Sequence, residues 1–335
     1  MTTTTRTRSL TAFFLAAALA LAGCSGSAED DGPGFATVDT AYGEITVDEK
    51  PERILVLDAA MVELLDVLGE EPLVVVGEKA DLDDYPWLDY DGEFDPDLWD
   101  ADWNISAEAV AEWEPDLIVG SNPWQIDEKL YEDLSEIAPT YAGRYTQAEG
   151  GATTWQESLA DLATLTGHDD TVVDQAVAAY DATLAAAAEK LPGLQGKSFQ
   201  LAVLSDEDQQ LWLTEYANGP ILGLGLTLGE GQPSGEGGEN AAEAPKYSLE
   251  NIDQLSADVV FLVTHEYVDP EGEFRASLEA DPRVAELPAA QNGTLVYLKD
   301  TTWYAVNPPT PASVAWWLDQ VMAQLEASAL NQSGQ

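Results

Sequence analysis

Residues 169–191 read DDTVVDQAVAAYDATLAAAAEKL, and this run decides the architecture. Val173, Val177, Tyr180, Leu184, Ala188 and Leu191 recur at steps of three or four, which lays one apolar stripe along a helix. Asp169 and Asp170 sit where a helix dipole is positive, Lys190 lies at the opposite end, and Pro192-Gly193 stops the helix. At about 1.5 Å of rise per residue the run spans roughly 35 Å, long for a globular helix.

Short apolar strands alternate with helices on both sides of it. Upstream, ILVL (54–57) is followed by a helix over 61–68 that stops at Gly69, then by LVVVG (73–77), a helix over 106–113, LIVG (117–120), an amphipathic stretch over 125–137 and a short strand starting at Pro139-Thr140-Tyr141. Downstream come SFQLAVLS (198–205), QLWLT (210–214), ILGLGLTLG, a helix start at SLENIDQL, DVVFLVT (258–264), TLVYL (294–298) and a last helix over 311–328. Buried strands of four to eight residues alternating with helices predict parallel sheets. The expected fold class is α/β, with two lobes built on parallel-type sheets and joined by one long α-helix. The Gly/Glu/Pro-rich segment 229–246 predicts a loop.

The composition excludes some partners. The chain has 335 residues, 13 Lys+Arg, 62 Asp+Glu and a formal net charge of −49. A nucleic-acid binder needs a basic stripe, and so few cations do not make one. Asp and Glu hold water and keep a protein dispersed where salt screens their repulsion, so an acidic surface needs no specific ligand.

The N-terminal segment has Arg6 and Arg8, an apolar run LTAFFLAAALAL (10–21), then Leu21-Ala22-Gly23-Cys24. A charged start, a short apolar stretch and small residues make a signal peptide, too short to span a bilayer comfortably. The LAGC sequence resembles the lipobox of bacterial lipoproteins, which implies that Cys24 is acylated and becomes the new N-terminus. Cys24 is the only cysteine, so the mature chain has no disulfide, thiolate metal site or thiol nucleophile. Two or three acyl chains anchor far more firmly than one, and the expected location is the extracytoplasmic face of the cell membrane. The predicted organisation is a signal peptide over 1–23, a lipid-anchored tether over 24–38, an N-terminal lobe over 39–167, the linking helix over 168–192 and a C-terminal lobe over 193–330.

Lipobox, two α/β lobes and one long connecting helix resemble the substrate-binding lipoproteins of ABC importers for ferric siderophores, haem and cobalamin. The resemblance rests on Pro51-Glu52-Arg53-Ile54, on Asn104-Ile105-Ser106-Ala107-Glu108 shortly before Pro115-Asp116-Leu117-Ile118, on Ala138-Pro139-Thr140, on Tyr247-Ser248-Leu249-Glu250 before the 258–264 strand, and on PRVAELPAAQNGTLVYL followed by Trp303. It implies a monomeric, non-enzymatic carrier with no cofactor of its own, iron entering only within a bound ferric siderophore. It also implies one Glu per lobe docking on an Arg of a permease dimer, by position Glu108 and Glu250.

The ligand is expected between the lobes, at the carboxyl ends of the strands. Loops leaving those ends carry Trp124, Arg144, Tyr145, Tyr216, Tyr247, Trp303 and Tyr304, aromatics that give rigid contact area to a bulky organic chelate. Arg144 is the only arginine between Arg53 and Arg275. In the ferric-hydroxamate branch of the family an Arg at a similar place bonds the oxygens around the iron, which implies that role for Arg144; pairing with nearby acids is the alternative. Scarce cations disfavour trianionic catecholates and favour a neutral or cationic ferric hydroxamate, with cobalamin and haem left open. Two histidines, His168 and His265, are too few for a bare-metal site of the His-rich kind, and His168 lies in a Gly-His-Asp-Asp boundary turn. Residues 81–102 hold many acids with Trp87 and Trp99, and Trp103 follows; they lack the EF-hand pattern and read as an acidic loop at the cleft rim. No G-x-S-x-G, H-E-x-x-H or P-loop pattern supports the rival reading as an extracytoplasmic enzyme.

Overall fold

The computed structural model describes residues 34–99, 104–121, 126–145, 153–205, 210–215, 217–234, 246–264 and 272–334. The first described element is a hairpin, β1 (Ala36–Thr40) paired antiparallel with β2 (Gly43–Val47). Its alternation buries Val38, Ile45 and Val47. Ala36 to Val38 fall in the stretch expected to be tether; inward-facing Val38 makes them part of the folded body instead.

The first sheet comprises β3 (Ile54–Val56), β4 (Val74–Val76), β5 (Phe94–Asp95), β6 (Leu117–Val119) and β7 (Thr140–Tyr141), all parallel, in the order β5-β4-β3-β6-β7. Its crossovers include α1 (Ala59–Leu68), α2 (Ala107–Glu112) and α3 (Glu128–Ser135). Both faces are covered, so the central strands β3, β4 and β6 are apolar throughout: Ile54 and Val56 join one core cluster, Leu55 and Leu57 another. Gly69 ends α1 in the left-handed conformation, at φ 72°, where a Cβ would be strained.

Two helices then run in succession. The first, α4 (Trp155–Thr166), opens on a capping box between Thr154 and Glu157. The second is the long connector, α5 (Asp170–Glu189), of 20 residues and so roughly 30 Å. It buries Tyr180, Leu184 and Ala187. Its exit is pinned: Gln195 Nε2 donates to the carbonyls of Ala188, Leu191 and Leu224, and Asn331 Nδ2 donates to that of Lys190. His168 sits in the turn between the two helices, its Nε2 2.8 Å from Glu70 Oε1.

The second sheet is mixed. It holds β8 (Ser198–Ser205), β9 (Gln210–Leu213), β10 (Thr227–Leu228), β11 (Lys246–Ser248), β12 (Val259–Thr264) and β13 (Leu295–Leu298), in the order β11-β9-β8-β12-β13 with β10 also on β8. β8, β10, β12 and β13 are mutually parallel, as expected, while the β8–β9 and β9–β11 pairings are antiparallel. Part of ILGLGLTLG forms α6 (Asn218–Gly223) ahead of β10. The remaining helices are α7 (Glu273–Glu279), α8 (Pro282–Ala285), α9 (Pro288–Asn292), α10 (Asp300–Tyr304), α11 (Pro311–Ala327) and α12 (Ala329–Ser333). The architecture is thus two α/β sheet lobes joined by one long helix.

One core cluster is continuous through both lobes, from Val56 and Leu65 through Tyr180 and Leu184 to Phe261 and Trp317. A polar contact adds to it. Glu63 on α1 is 4% exposed, and it accepts the Thr310 hydroxyl and, at 2.7 Å, the Ala312 N–H at the start of α11. Unfilled N–H groups of a first helical turn favour such a carboxylate. Burial nevertheless pushes the Glu63 carboxyl above its ordinary value.

Candidate functional site

The carboxyl end of β7 delivers Arg144. Gly143 turns the chain there at φ +74°, and a Cβ would come within 2.7 Å of Thr153 Oγ1. The turn is held by Ala41 N–H donating to Gly143 O at 2.8 Å and by Arg144 N–H donating to Thr153 Oγ1 at 2.6 Å. The guanidinium is thereby aimed at α4. Its Nε donates to Asp161 Oδ2 at 2.8 Å and its Nη2 to Asp161 Oδ1 at 2.7 Å, a bidentate fork. Asp161 is 5% exposed and also accepts the Tyr141 hydroxyl at 3.0 Å. Tyr141 is fully buried; burial first, then the Asp161 charge, pushes its phenol far above the usual value. The bond to Asp161 also raises the guanidinium further, so Arg144 is always cationic.

One edge of Arg144 is left over. Its side chain is 37% exposed, and Nη1 makes no hydrogen bond among the described residues, pairing only loosely with Glu157 Oε1 at 3.7 Å. Tyr145 is exposed beside it, its hydroxyl 3.4 Å from the same Glu157 oxygen. Arg144, Tyr145, Glu157 and Asp161 thus form one polar cluster at the edge of the first sheet. Asp161 and Glu157 lie one turn apart on α4, and that helix sets both carboxylates against the guanidinium.

Across the molecule, α10 follows the carboxyl end of β13 and presents Tyr304. Its ring stacks on Tyr85 at 5.8 Å between centroids; Tyr85 meets Trp87 edge-on at 5.6 Å, and Trp87 lies 5.4 Å from Trp316 on α11. Tyr85 and Trp87 belong to the acidic stretch leaving β4, so this row of rings joins the two lobes. Burial and the nearby Asp58, Asp84 and Asp81 push the Tyr85 phenol up to about 12. Trp303, expected in the site, is 6% exposed and part of the continuous core. The helix turns Tyr304 toward the other lobe and Trp303 inward, because neighbours on a helix do not share a face.

Tyr247 lies on β11, partly exposed, in register with Leu211 and through it with Leu204, level with the carboxyl end of β8. Strand order puts it at the opposite edge from β13, about 19 Å away at the usual strand spacing. The structure therefore pairs Arg144 with Tyr145, separates Tyr304 from the buried Trp303 and sets Tyr247 apart. Trp124, Tyr216 and Cys24 lie outside the described residues.

Glu108 and Glu250 have matching local settings. Each is exposed and sits in the first turn of a helix capped by a serine two residues earlier, Ser106 or Ser248. Each of these turns precedes a fully buried strand, β6 or β12. Neither carboxylate makes an ion pair among the described residues. Arg283 approaches only the backbone carbonyl of Glu250, at 3.3 Å. Among the described residues no group of three or more His, Cys, Asp or Glu is placed to hold a metal ion, and no helix is long and apolar enough to cross a membrane.

Residues 54–302 match the sequence profile of the family described as periplasmic binding protein, and the chain belongs to that family. That family is one of binding proteins, not of enzymes. Among curated relatives, "Probable siderophore-binding lipoprotein YfiY" of Bacillus subtilis (strain 168) is 28% identical over 266 residues, covering 75% of this chain and 77% of the relative. "Fe(3+)-citrate-binding protein YfmC" of the same organism is 22% identical over 303 residues, covering 86% and 88%. The solved structure of Streptococcus pneumoniae TIGR4 PiaA in complex with ferrichrome shares the fold, with a TM-score of 0.64, 22% identity and coverage of 87% and 97%.

Proposed function

We propose that this chain is an extracytoplasmic binding protein, anchored through acylated Cys24, that captures a ferric siderophore of hydroxamate type and delivers it to an ABC permease. The observation that carries the ligand class is Arg144. It is the one arginine in the loops leaving the carboxyl ends of the strands, it is held rigid by a buried carboxylate, and it keeps one N–H edge for a ligand oxygen. A single cation already paired with an acid suits the neutral oxygen shell of a ferric hydroxamate better than a trianion. The relative named for siderophore binding and the ferrichrome complex of a protein with the same fold support this reading. A second reading, an iron–citrate carrier, has support from the relative named for Fe(3+)-citrate.

In the proposed cycle the chelate enters between the carboxyl edges of the two sheets, with Tyr145, Tyr247 and Tyr304 giving ring contacts around it. Closure is small, because one helix, a continuous core and the Tyr85–Tyr304 stack resist wide hinge motion. Glu108 and Glu250 then engage cations on the permease, and partner subunits that hydrolyse ATP drive release.

Tryptophan quenching against ferrichrome, ferrioxamine, a ferric catecholate, haem and cobalamin tests the ligand class. Tight one-to-one quenching by the hydroxamates supports it; a preference for haem, cobalamin or the catecholate refutes it. Docking has a separate test. Charge reversal at both Glu108 and Glu250 is expected to abolish uptake by cells and to leave ligand titration unchanged, and a loss of ligand binding would remove the docking assignment.

A further inference from the structure

The cluster around Arg144 holds more negative than positive charge. Asp161 takes two donors of the guanidinium in a fork, and Glu157 Oε1 stands 3.7 Å from the remaining Nη1. One cation thus faces two carboxylates at the place where a ligand oxygen would arrive. Asp161 is buried, and Glu157 is held in place through the Thr154 N–H and hydroxyl, both at 2.9 Å. Neither carboxylate swings away freely, so the opposing charge is a built part of the loop and α4. Coulomb interactions over a few ångströms at a half-buried site are strong enough to sort ligands by charge.

We propose that Asp161, with Glu157, is the charge-selectivity determinant of this site: it positions Arg144 as a hydrogen-bond donor while cancelling its charge, so that neutral and cationic ferric chelates are accepted and anionic ones rejected. This rests on the reading of Arg144 as a ligand contact. Asp161 acts through Arg144 and is a positioning residue; Glu157 supplies the repulsive element that specificity requires.

The experiment uses the full chain and three probes: ferric citrate as the anion, ferrichrome as the neutral trihydroxamate and ferrioxamine B as the cation. Affinities are measured by tryptophan quenching for the wild type, Asp161→Asn and Glu157→Gln. Each substitution keeps the side-chain shape and removes one negative charge. The expected result is a rise of about tenfold per variant in the affinity ratio of ferric citrate to ferrichrome, and a fall in that of ferrioxamine B to ferrichrome, both shrinking as salt is added. A merely structural role weakens all three ligands together and leaves the ratios fixed; that result overturns the proposal. If Asp161→Asn fails to fold, Glu157→Gln, on a partly exposed side chain, gives the same ratio test alone. If the wild type binds none of the three, the functional reading falls and the selectivity proposal falls with it, a result distinct from unchanged ratios.

Discussion

The two ends of the carboxyl edges are built differently. On the β4 and β13 side, Tyr85 and Tyr304 touch across the lobes, backed by Trp87 and Trp316 and, deeper, by Glu63 bonded to the first turn of α11. On the β7 side, Arg144 is fixed by Asp161, while its Nη1 makes no hydrogen bond among the described residues and stands 3.7 Å from Glu157 Oε1. One end spends its aromatic and polar groups on joining the lobes. The other holds a polar group rigid, with one guanidinium nitrogen outside hydrogen-bond distance of Glu157. A carrier that binds with little closure needs both: a joint that does not open and a recognition surface already in place, since ordering that surface on binding would subtract from affinity.

This contrast breaks most visibly at α10. Trp303→Ala should remove a buried ring and cost about 3–5 kcal/mol of folding stability, read by denaturant unfolding. The neighbouring Tyr304→Ala should cost less, about 0.5–1.5 kcal/mol beyond the lost contact area. If both cost the same, the distinction between core ring and inter-lobe ring fails. Tyr304→Ala should also loosen the joint. Small-angle scattering should show little compaction of the wild type on adding ligand and a larger one in this variant; large compaction in the wild type would contradict a rigid connection.

The smallest effect concerns pH at Glu63. Burial raises its folded-state pKa above the unfolded value near 4.5. The folded protein therefore binds that proton more tightly than the unfolded chain. Glu63 contributes this stability in full below the unfolded pKa and loses it as pH rises through the folded value. The melting temperature of the wild type minus that of Glu63→Gln should fall as pH is raised from about 4 to about 7. A flat difference would show that the joint does not sense this proton.

Much of the fold was legible because its signals are local. The stripe from Val173 to Leu191 and its caps mark α5 within a few residues, and SFQLAVLS coincides with β8. The reversed direction of β9 was not legible, since an apolar run looks alike in both directions and pairing is set by tertiary contacts. At the site, Arg144 stood out by rarity. Asp161 and Glu157 did not: among 62 acids neither differs from a solvated one until the fold sets it against the guanidinium. Trp303 and Tyr304 are adjacent in sequence, and only helix geometry separates their roles. Trp87 was noted only as one aromatic of an acidic stretch, and Tyr85 was hidden in it, because the acidity drew the reading toward charge.

The central claim is that Arg144 offers its free edge to a ferric hydroxamate between the lobes, and a ligand titration tests it most directly. Ferrichrome is added to the wild type and to Arg144→Ala at 25 °C, with circular dichroism confirming that both are folded; the variant should melt earlier, because Asp161 loses its partner. The expected result is one-to-one quenching in the wild type and an affinity about ten- to a hundredfold weaker in the variant, as for a lost charged hydrogen bond. Equal affinity in the two proteins would contradict the account.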